Sequence, residues 1–198
     1  MLTLFHAPQS RSTRILWMLE ELGADYEIRY VDIVRQEEGA GRVDPANPHP
    51  DKKVPALNHD GQLITESMAI ALYLNDLHPD ADVSRPIGDK ERGALLTWLF
   101  YYAGVIEPVV HFQFLGIEGD ERLRRTFRGR AEMDRRVLGA LNAHAYILGD
   151  RFSLADITIV SLGQFMRNAL PSDPIVDAYL KRCQARPALA RSLAKDKP

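Results

Sequence analysis

Lys53-Val54-Pro55-Ala56-Leu57 is followed, nine residues after Leu57, by the pair Glu66-Ser67. Val-Pro enters a short strand, a hairpin turn reverses it, and Glu-Ser opens a helix. A proline at the start of a strand removes an N–H from the ladder and is tolerated where that donor is not needed. The backbone of Val54 is then left to pair with something other than protein. The helix start beyond it offers N–H groups that lack intrahelical partners, a setting that favours an anion. Together the two features describe a site for a small, extended peptide that carries a carboxylate.

The surrounding 78 residues alternate strands and helices. Leu2–Phe5 is short and apolar and reads as a buried strand. Ser10–Leu22 follows as a helix, with Ile15, Leu16, Leu19 and Leu22 at helical spacing, and Gly23 ends it. Glu27–Ile33 alternates as a strand, and a weaker helix is expected over Arg35–Arg42. Pro45, Pro48 and Pro50 forbid regular helix in the loop that comes next. Pro55–Asn58 and Gln62–Ile64 flank Asp60-Gly61, a strong tight-turn signal, so they form a β-hairpin. Glu66–Leu77 closes the unit as a helix. A βαβ unit followed by a hairpin and a helix implies a mixed sheet with helices on both faces.

Residues 79–88 read as a linker, and everything from 89 to 198 reads as helix. Gly93–Ile106 is densely apolar, and Pro108 is expected to kink or end that helix. Arg122–Leu148 is expected as one long helix, polar early and apolar late. Ser153–Asn168 and Asp173–Ala185 supply two more. Phe152-Ser153-Leu154-Ala155-Asp156-Ile157 reads as a capping box with a hydrophobic staple, a folding signal and not a site.

The composition narrows the function classes. With 25 basic and 27 acidic residues among 198, the chain has no net basic field to hold nucleic acid. The arginine-rich stretch Arg122 to Arg136 also carries Glu132 and Asp134 and reads as a solvated helix face. One cysteine, Cys183, precludes a disulfide within the chain. The apolar runs Gly93–Ile106 and Val137–Gly149 fall short of the roughly 20 residues a membrane span needs. The expectation is a soluble, cytoplasmic protein without a membrane or nucleic-acid partner. The six histidines show no metal-ligand spacing, so no metal is expected.

The Val-Pro and Glu-Ser pattern resembles the glutathione-binding half of the glutathione S-transferase superfamily, and the resemblance covers nearly the whole chain. It implies an α/β N-terminal thioredoxin-like domain (βαβαββα, with a mixed four-stranded sheet) over residues 1–78. An all-α C-terminal helical domain follows at 89–198. It implies glutathione as co-substrate and a homodimer acting on a small hydrophobic electrophile, as in detoxification. It further implies that Pro55 is cis and that Val54 pairs with the cysteinyl segment of glutathione like an added strand. Lys52 or Lys53 would meet the glycyl carboxylate, Ser67 the γ-glutamyl carboxylate, and Glu66 the ammonium of that residue.

The thiol-activating group falls in Ala7-Pro8-Gln9-Ser10-Arg11-Ser12-Thr13-Arg14. Read as local structure, Ser10 or Ser12 caps the helix. By resemblance, Ser10 matches the serine of serine-type transferases, four residues before the basic Arg14. Ser12 is the rival, and Arg11 could hold a carboxylate or steady a thiolate by charge. Phe5 and His6 stand where tyrosine-type relatives carry their hydroxyl, and no cysteine lies in the loop. A free thiol with a pKa near 8.5 is only a few per cent ionised at neutral pH. Lowering that value by about two units takes roughly 2.7 kcal/mol. One hydrogen bond to a charged group supplies about 1.5–3 kcal/mol and a helix end up to about 1, which suffices.

For the second substrate, Tyr101, Tyr102 and Phe112 are the candidate pocket residues, Tyr101 or Tyr102 foremost. The same tripeptide site would serve conjugation, glutathione-dependent isomerisation, peroxide reduction, or a non-catalytic binding module of stress response or assembly.

Overall fold

The computed structural model describes residues 1–35 and 39–197. They form two compact units. One comprises Met1–Ser84 with Arg186–Pro198, and the other Arg85–Ala185.

The first unit is built on a four-stranded mixed sheet of order β2-β1-β3-β4. β1 (Leu2–His6) is buried along its whole length and occupies an inner position. It pairs in parallel with β2 (Tyr26–Tyr30) and antiparallel with β3 (Ala56–His59), which in turn pairs antiparallel with β4 (Gln62–Thr65). Asp60 and Gly61 form the hairpin turn, with φ of 49° and 91°. Positive φ at both turn residues matches the right-handed twist of the strands and suits an Asp-Gly pair.

α1 (Thr13–Leu22) starts three residues later than its hydrophobic pattern suggested, because Ser10–Ser12 are held in a turn by the Ser10 C=O accepting from Thr13 N–H at 3.1 Å. Gly23 ends it in the left-handed conformation at φ 62°. α2 (Ser67–Leu77) turns Met68, Ile70, Ala71 and Leu74 to the core. The helix expected over Arg35–Arg42 falls partly outside the described residues. Its described flanks are not helical, and the Arg35 N–H donates to the Ala40 C=O at 3.0 Å.

The boundary between the units differs from the sequence expectation at both ends. Val83, Ser84 and Arg85 are buried, so the segment 79–88 is no bare linker. The fully buried Arg85 guanidinium donates to Glu91 at 2.6 Å and to the carbonyls of Arg151 and Phe152 at 3.2 Å, which fastens it into the helical unit. At the other end, α9 (Pro187–Lys195) was not anticipated, although Pro187 at its first turn is a start signal. It packs on α1 and joins the first unit. Arg186 pairs with Glu21, and Arg191 and Lys195 pair with Glu20.

The helical unit opens with α3 (Arg92–Tyr101), a π-helical turn (Tyr102–Ile106) and α4 (Glu107–Phe114). Pro108 neither ends nor sharply breaks this run. Its ring would press on the Gly104 carbonyl, and the wider turn just ahead relieves that clash and the missing N–H. By length and composition alone the 23 residues Arg92–Phe114 could cross a membrane. Half of the apolar window is buried within the protein, with Leu95, Trp98, Leu99, Tyr102 and Ile106 inward, as in a core helix.

The single helix expected over Arg122–Leu148 is instead two, α5 (Glu121–Thr126) and α6 (Arg130–Ala143). Phe127 is extended, and Gly129 restarts the helix with its N–H donating to Glu132 at 3.0 Å. α5 buries nothing, as a solvated arginine-rich face should. α7 (Leu154–Phe165) and α8 (Pro174–Gln184) complete the unit, and Cys183 is buried on α8.

Candidate functional site

The strand register decides which loops meet. Phe5 is paired with Ala56, and Ala56 with Thr65. That row lies at the C-terminal end of β1, the start of β3 and the end of β4. The Ser10 loop, Val54-Pro55 and Glu66-Ser67 therefore all leave the sheet at one end. Adjacent strands lie about 4.8 Å apart, so β1 to β4 spans about 10 Å, the length of about three extended residues. Beneath this end Phe5, Ala7, Val31, Val54 and Ala56 form one buried apolar cluster.

The Val54–Pro55 bond is cis. The approach to it is a loop folded around Asn47, which is fully buried. The Asn47 amide donates to the Lys53 carbonyl at 3.0 Å, its oxygen accepts from the His49 N–H at 3.0 Å, and its own carbonyl accepts from the Lys52 ammonium at 2.7 Å. Lys52 thus holds the loop together, whereas Lys53 is exposed and points its charge outward. Sequence reasoning left these two lysines as alternatives and did not single out Asn47.

Glu66 has φ 68° and ψ 121°, a conformation costly for a residue with a side chain. It stands at the start of α2, and its carboxylate does not cap the helix. The first N–H groups of α2 are therefore open to an incoming anion beside the half-exposed Ser67.

The loop after β1 carries a denser network. Ser10 and Ser12 do not cap α1 through their side chains, contrary to the local reading of these residues. Their hydroxyls turn back toward β1. Ser12 Oγ, fully buried, lies 2.7 Å from His6 Nδ1 and accepts from the Ala7 N–H at 3.2 Å. Ser10 Oγ lies 2.8 Å from Ser12 Oγ, accepts from the Ser12 N–H at 3.1 Å and reaches the Ala7 carbonyl at 2.7 Å. Ser10 is half-exposed, and Arg11 is exposed.

Asp196, near the far end of the chain, completes this network. Its carboxylate accepts from the Gln9 N–H at 3.2 and 3.3 Å and from the Thr13 hydroxyl at 2.8 Å. Gln9 is held at φ 52°, and these bonds help fix that unfavourable conformation. Asp196 Oδ1 is also 3.1 Å from His6 Nε2, close enough for charge pairing though outside hydrogen-bond alignment. Burial pushes His6 below the usual histidine value, and the neighbouring Asp196 charge opposes that push. Neither His6 nor Asp196 stood out from the sequence. They are 190 positions apart, and no spacing rule links them.

The residues expected at a second-substrate pocket, Tyr101, Tyr102 and Phe112, differ in burial. Tyr102 is fully buried and belongs to the core. Tyr101 is nearly so. It packs edge-on against Trp98 at 5.5 Å, and the Arg136 guanidinium covers its ring at 4.0 Å. Phe112 stands edge-on to Phe127 at 5.4 Å, on the wall of a pocket with Val109, Leu123 and Arg124. Among the described residues no cluster of histidine, cysteine and carboxylate side chains has metal-binding geometry.

Comparison with known proteins agrees with this geometry. The family model for the glutathione S-transferase N-terminal domain matches residues 1–76. The chain is 28% identical over 201 residues to glutathione S-transferase GstA of Escherichia coli O157:H7, covering 98% of each chain. It is 30% identical over 161 residues to a probable maleylacetoacetate isomerase of Caenorhabditis elegans, covering 77% of this chain and 72% of the other. The solved structure of a sphingomonad glutathione S-transferase complexed with glutathione superposes with a TM-score of 0.73 at 26% identity, over 98% of both chains. A mixed sheet that brings a serine loop, a cis-proline and a Glu-Ser helix start to one end, with an all-helical unit following, places this chain in the glutathione S-transferase superfamily.

Proposed function

We propose that this chain is a serine-type glutathione transferase. One observation carries the reading: the Phe5–Ala56–Thr65 row gathers three loops at a single end of the sheet. An extended γ-linked tripeptide would lay its γ-glutamyl group over the β4 end and its cysteinyl group over β3, with the sulfur toward the Ser10 loop. Ser67 and the open N–H groups of α2 receive the γ-glutamyl carboxylate, and Glu66 its ammonium. The Val54 backbone pairs with the cysteinyl segment, and Lys53 meets the glycyl carboxylate.

Ser10 is the thiolate donor. Its oxygen is fixed by the Ser12 N–H at 3.1 Å, while rotation about Cβ–Oγ re-aims its proton from the Ala7 carbonyl to an incoming sulfur. Arg11 is exposed, and Ser12 is buried behind Ser10. Catalysis then consists of nucleophile activation and positioning, with the sulfur attacking an electrophilic carbon. Ser10→Ala is expected to lower kcat/KM about 10- to 100-fold, the worth of one hydrogen bond to a charged group. The acidic limb of the pH–rate profile should move up by about one to two pH units. Glutathione affinity should stay near wild type. An unchanged profile would transfer the role to Ser12 or Arg11.

The likeness to a probable maleylacetoacetate isomerase supports a second reading of the same site, in which the thiolate adds to a conjugated cis-enone acid and is expelled again. A panel of electrophiles, hydroperoxides and cis-enone acids separates the two. Either enzyme is proposed to work as a cytoplasmic homodimer, the assembly that sedimentation of the purified chain would test.

A further inference from the structure

The thiol proton must go somewhere, and the loop after β1 contains an unbroken path for it. We propose that His6, paired with Asp196, takes the glutathione thiol proton through a chain of two hydroxyls, Ser10 and then Ser12. The inference rests on the reading of Ser10 given above and adds to it the destination of the proton.

The hydrogen-bond pattern assigns the resting state. The Asp196 carboxylate, 3.1 Å away, favours the neutral tautomer with its proton on Nε2. Nδ1 is then an acceptor, and Ser12 donates its hydroxyl proton to it across 2.7 Å. Ser12 Oγ still accepts from the Ala7 N–H and lies 2.8 Å from the Ser10 hydroxyl, which can turn to donate to it. The Ala7 carbonyl is a second acceptor for both hydroxyls, at 2.7 Å from Ser10 and 3.1 Å from Ser12, and turning away from it aims both protons along the chain toward His6. Burial favours this neutral resting form.

The transfer balances. The thiol S–H bond breaks as its proton forms a new O–H bond on Ser10. The former Ser10 proton passes to Ser12 Oγ, and the former Ser12 proton forms the N–H bond on His6 Nδ1. One proton has moved from sulfur to nitrogen, no electrons have been exchanged, and both hydroxyls are whole again. Every hydrogen bond in the chain now points the other way, so the Ser10 proton faces the thiolate. The imidazolium sits beside the Asp196 carboxylate, whose side chain is only 9% exposed. The other groups facing His6 are the Tyr30 ring, edge-on at 5.7 Å, and the Arg35 guanidinium. Arg35 donates to the Pro8 carbonyl at 2.9 Å, and its charge opposes the imidazolium. Asp196 opposes both the burial and Arg35 without cancelling them, and the negative charge of the thiolate formed at the other end of the relay adds to its pull on the imidazolium. It acts through His6 and is a positioning residue, as is Ser12.

The distinguishing measurement is the number of protons released when glutathione binds at neutral pH. Calorimetry in two buffers of different ionisation enthalpy gives that number, while ultraviolet absorbance reports the bound thiolate. Wild type is expected to form the thiolate and release almost no proton. His6→Asn keeps a polar group near the Nδ1 position but cannot hold the proton, so about one proton per bound thiolate should appear in the buffer. Asp196→Asn, at a less buried position, should release an intermediate number and carries the comparison if His6→Asn fails to fold. Release of one full proton by wild type, with thiolate present, overturns the relay and leaves Ser10 as a simple donor. Bound glutathione without thiolate overturns the Ser10 reading and the relay with it. Asp196→Asn indistinguishable from wild type in proton release removes Asp196 from the proposal.

Discussion

Lys52 and Lys53 are neighbours in sequence with different tasks. Lys52 sits at φ 54° and gives its ammonium to the Asn47 carbonyl at 2.7 Å, so its charge is engaged in shaping the loop. Lys53 is exposed and supplies only its carbonyl to that loop. If Lys53 meets the glycyl carboxylate, the pair forms at the protein surface and is worth about 1 kcal/mol. Lys53→Ala should then raise KM for glutathione about fivefold and leave kcat nearly unchanged. Lys52→Ala should lower the melting temperature, with the smaller change in KM. Equal effects of both substitutions on KM would mean that the loop responds as a unit and that neither ammonium contacts the ligand. At this scale the residues legible in the sequence were those whose chemistry is local. Val54, Pro55, Glu66 and Ser67 announce themselves because a proline and a helix start lie within one hairpin of each other. Asn47 did not, because an asparagine between prolines reads as a turn residue whether or not it is buried.

At the scale of the element, the clearest case is the start of α7. Ser153 and Asp156 read as a capping box, and that arrangement is present at the start of the helix. The Asp156 carboxylate accepts from the Ser153 N–H and hydroxyl, both at 2.8 Å. The sequence could not reveal its remaining partners. The Ile147 N–H donates to Asp156 at 2.8 Å and the Tyr179 hydroxyl at 2.9 Å, which tie the bend before α7 and the middle of α8 to the same carboxylate. Burial pushes Asp156 above the usual carboxylate range against the pull of those four donors. Asp156→Ala would leave four buried donors without an acceptor, at about 1–3 kcal/mol each before relaxation. A loss of at least about 4 kcal/mol is expected, which at this chain length corresponds to about 10 °C or more in Tm. A drop of only a few degrees in a thermal scan would show that the bend and α8 do not depend on this hub. The same contrast explains the other misread elements. The helix over Arg122–Leu148 had continuous helical composition, yet Gly129 and the reach of Glu132 divide it. Pro108 read as a kink or an end of its helix, and a π-helical turn just ahead absorbs it, a wider turn for which periodicity carries no signal.

At the scale of the whole molecule, the last residues of the chain complete the first unit. α9 was absent from the sequence reading because its apolar face is short, and the partners that make it stable lie on α1. Those partners are charged. Glu21 accepts from the Trp17 indole at 2.9 Å and from Arg186 at 2.7 and 2.8 Å. Glu20 accepts from Tyr26 at 2.6 Å, from Lys195 at 2.5 Å and from Arg191 at 2.8 Å. Partial burial raises Glu20, but the donors from Lys195, Tyr26 and Arg191 outweigh it and bring the carboxyl down to about 2. A carboxyl whose folded value lies below its unfolded one contributes stability above the unfolded value, and that contribution disappears as pH falls through the folded one. The docking of α9 should therefore be intact above about pH 4.5 and weaken progressively toward about pH 2. Asp196 follows α9 directly, so the network at Gln9 and Thr13 should loosen over the same range. The Trp17 indole N–H resonance is a local reporter of this surface, since its acceptor Glu21 is held by Arg186. Arg191→Ala combined with Lys195→Ala removes two of the three donors to Glu20, and should move the acid transition of that resonance upward in pH. A transition that stays in place in the double variant would mean that apolar contact between α1 and α9, and not the ion pairs, holds the end of the chain against the loop that carries Ser10.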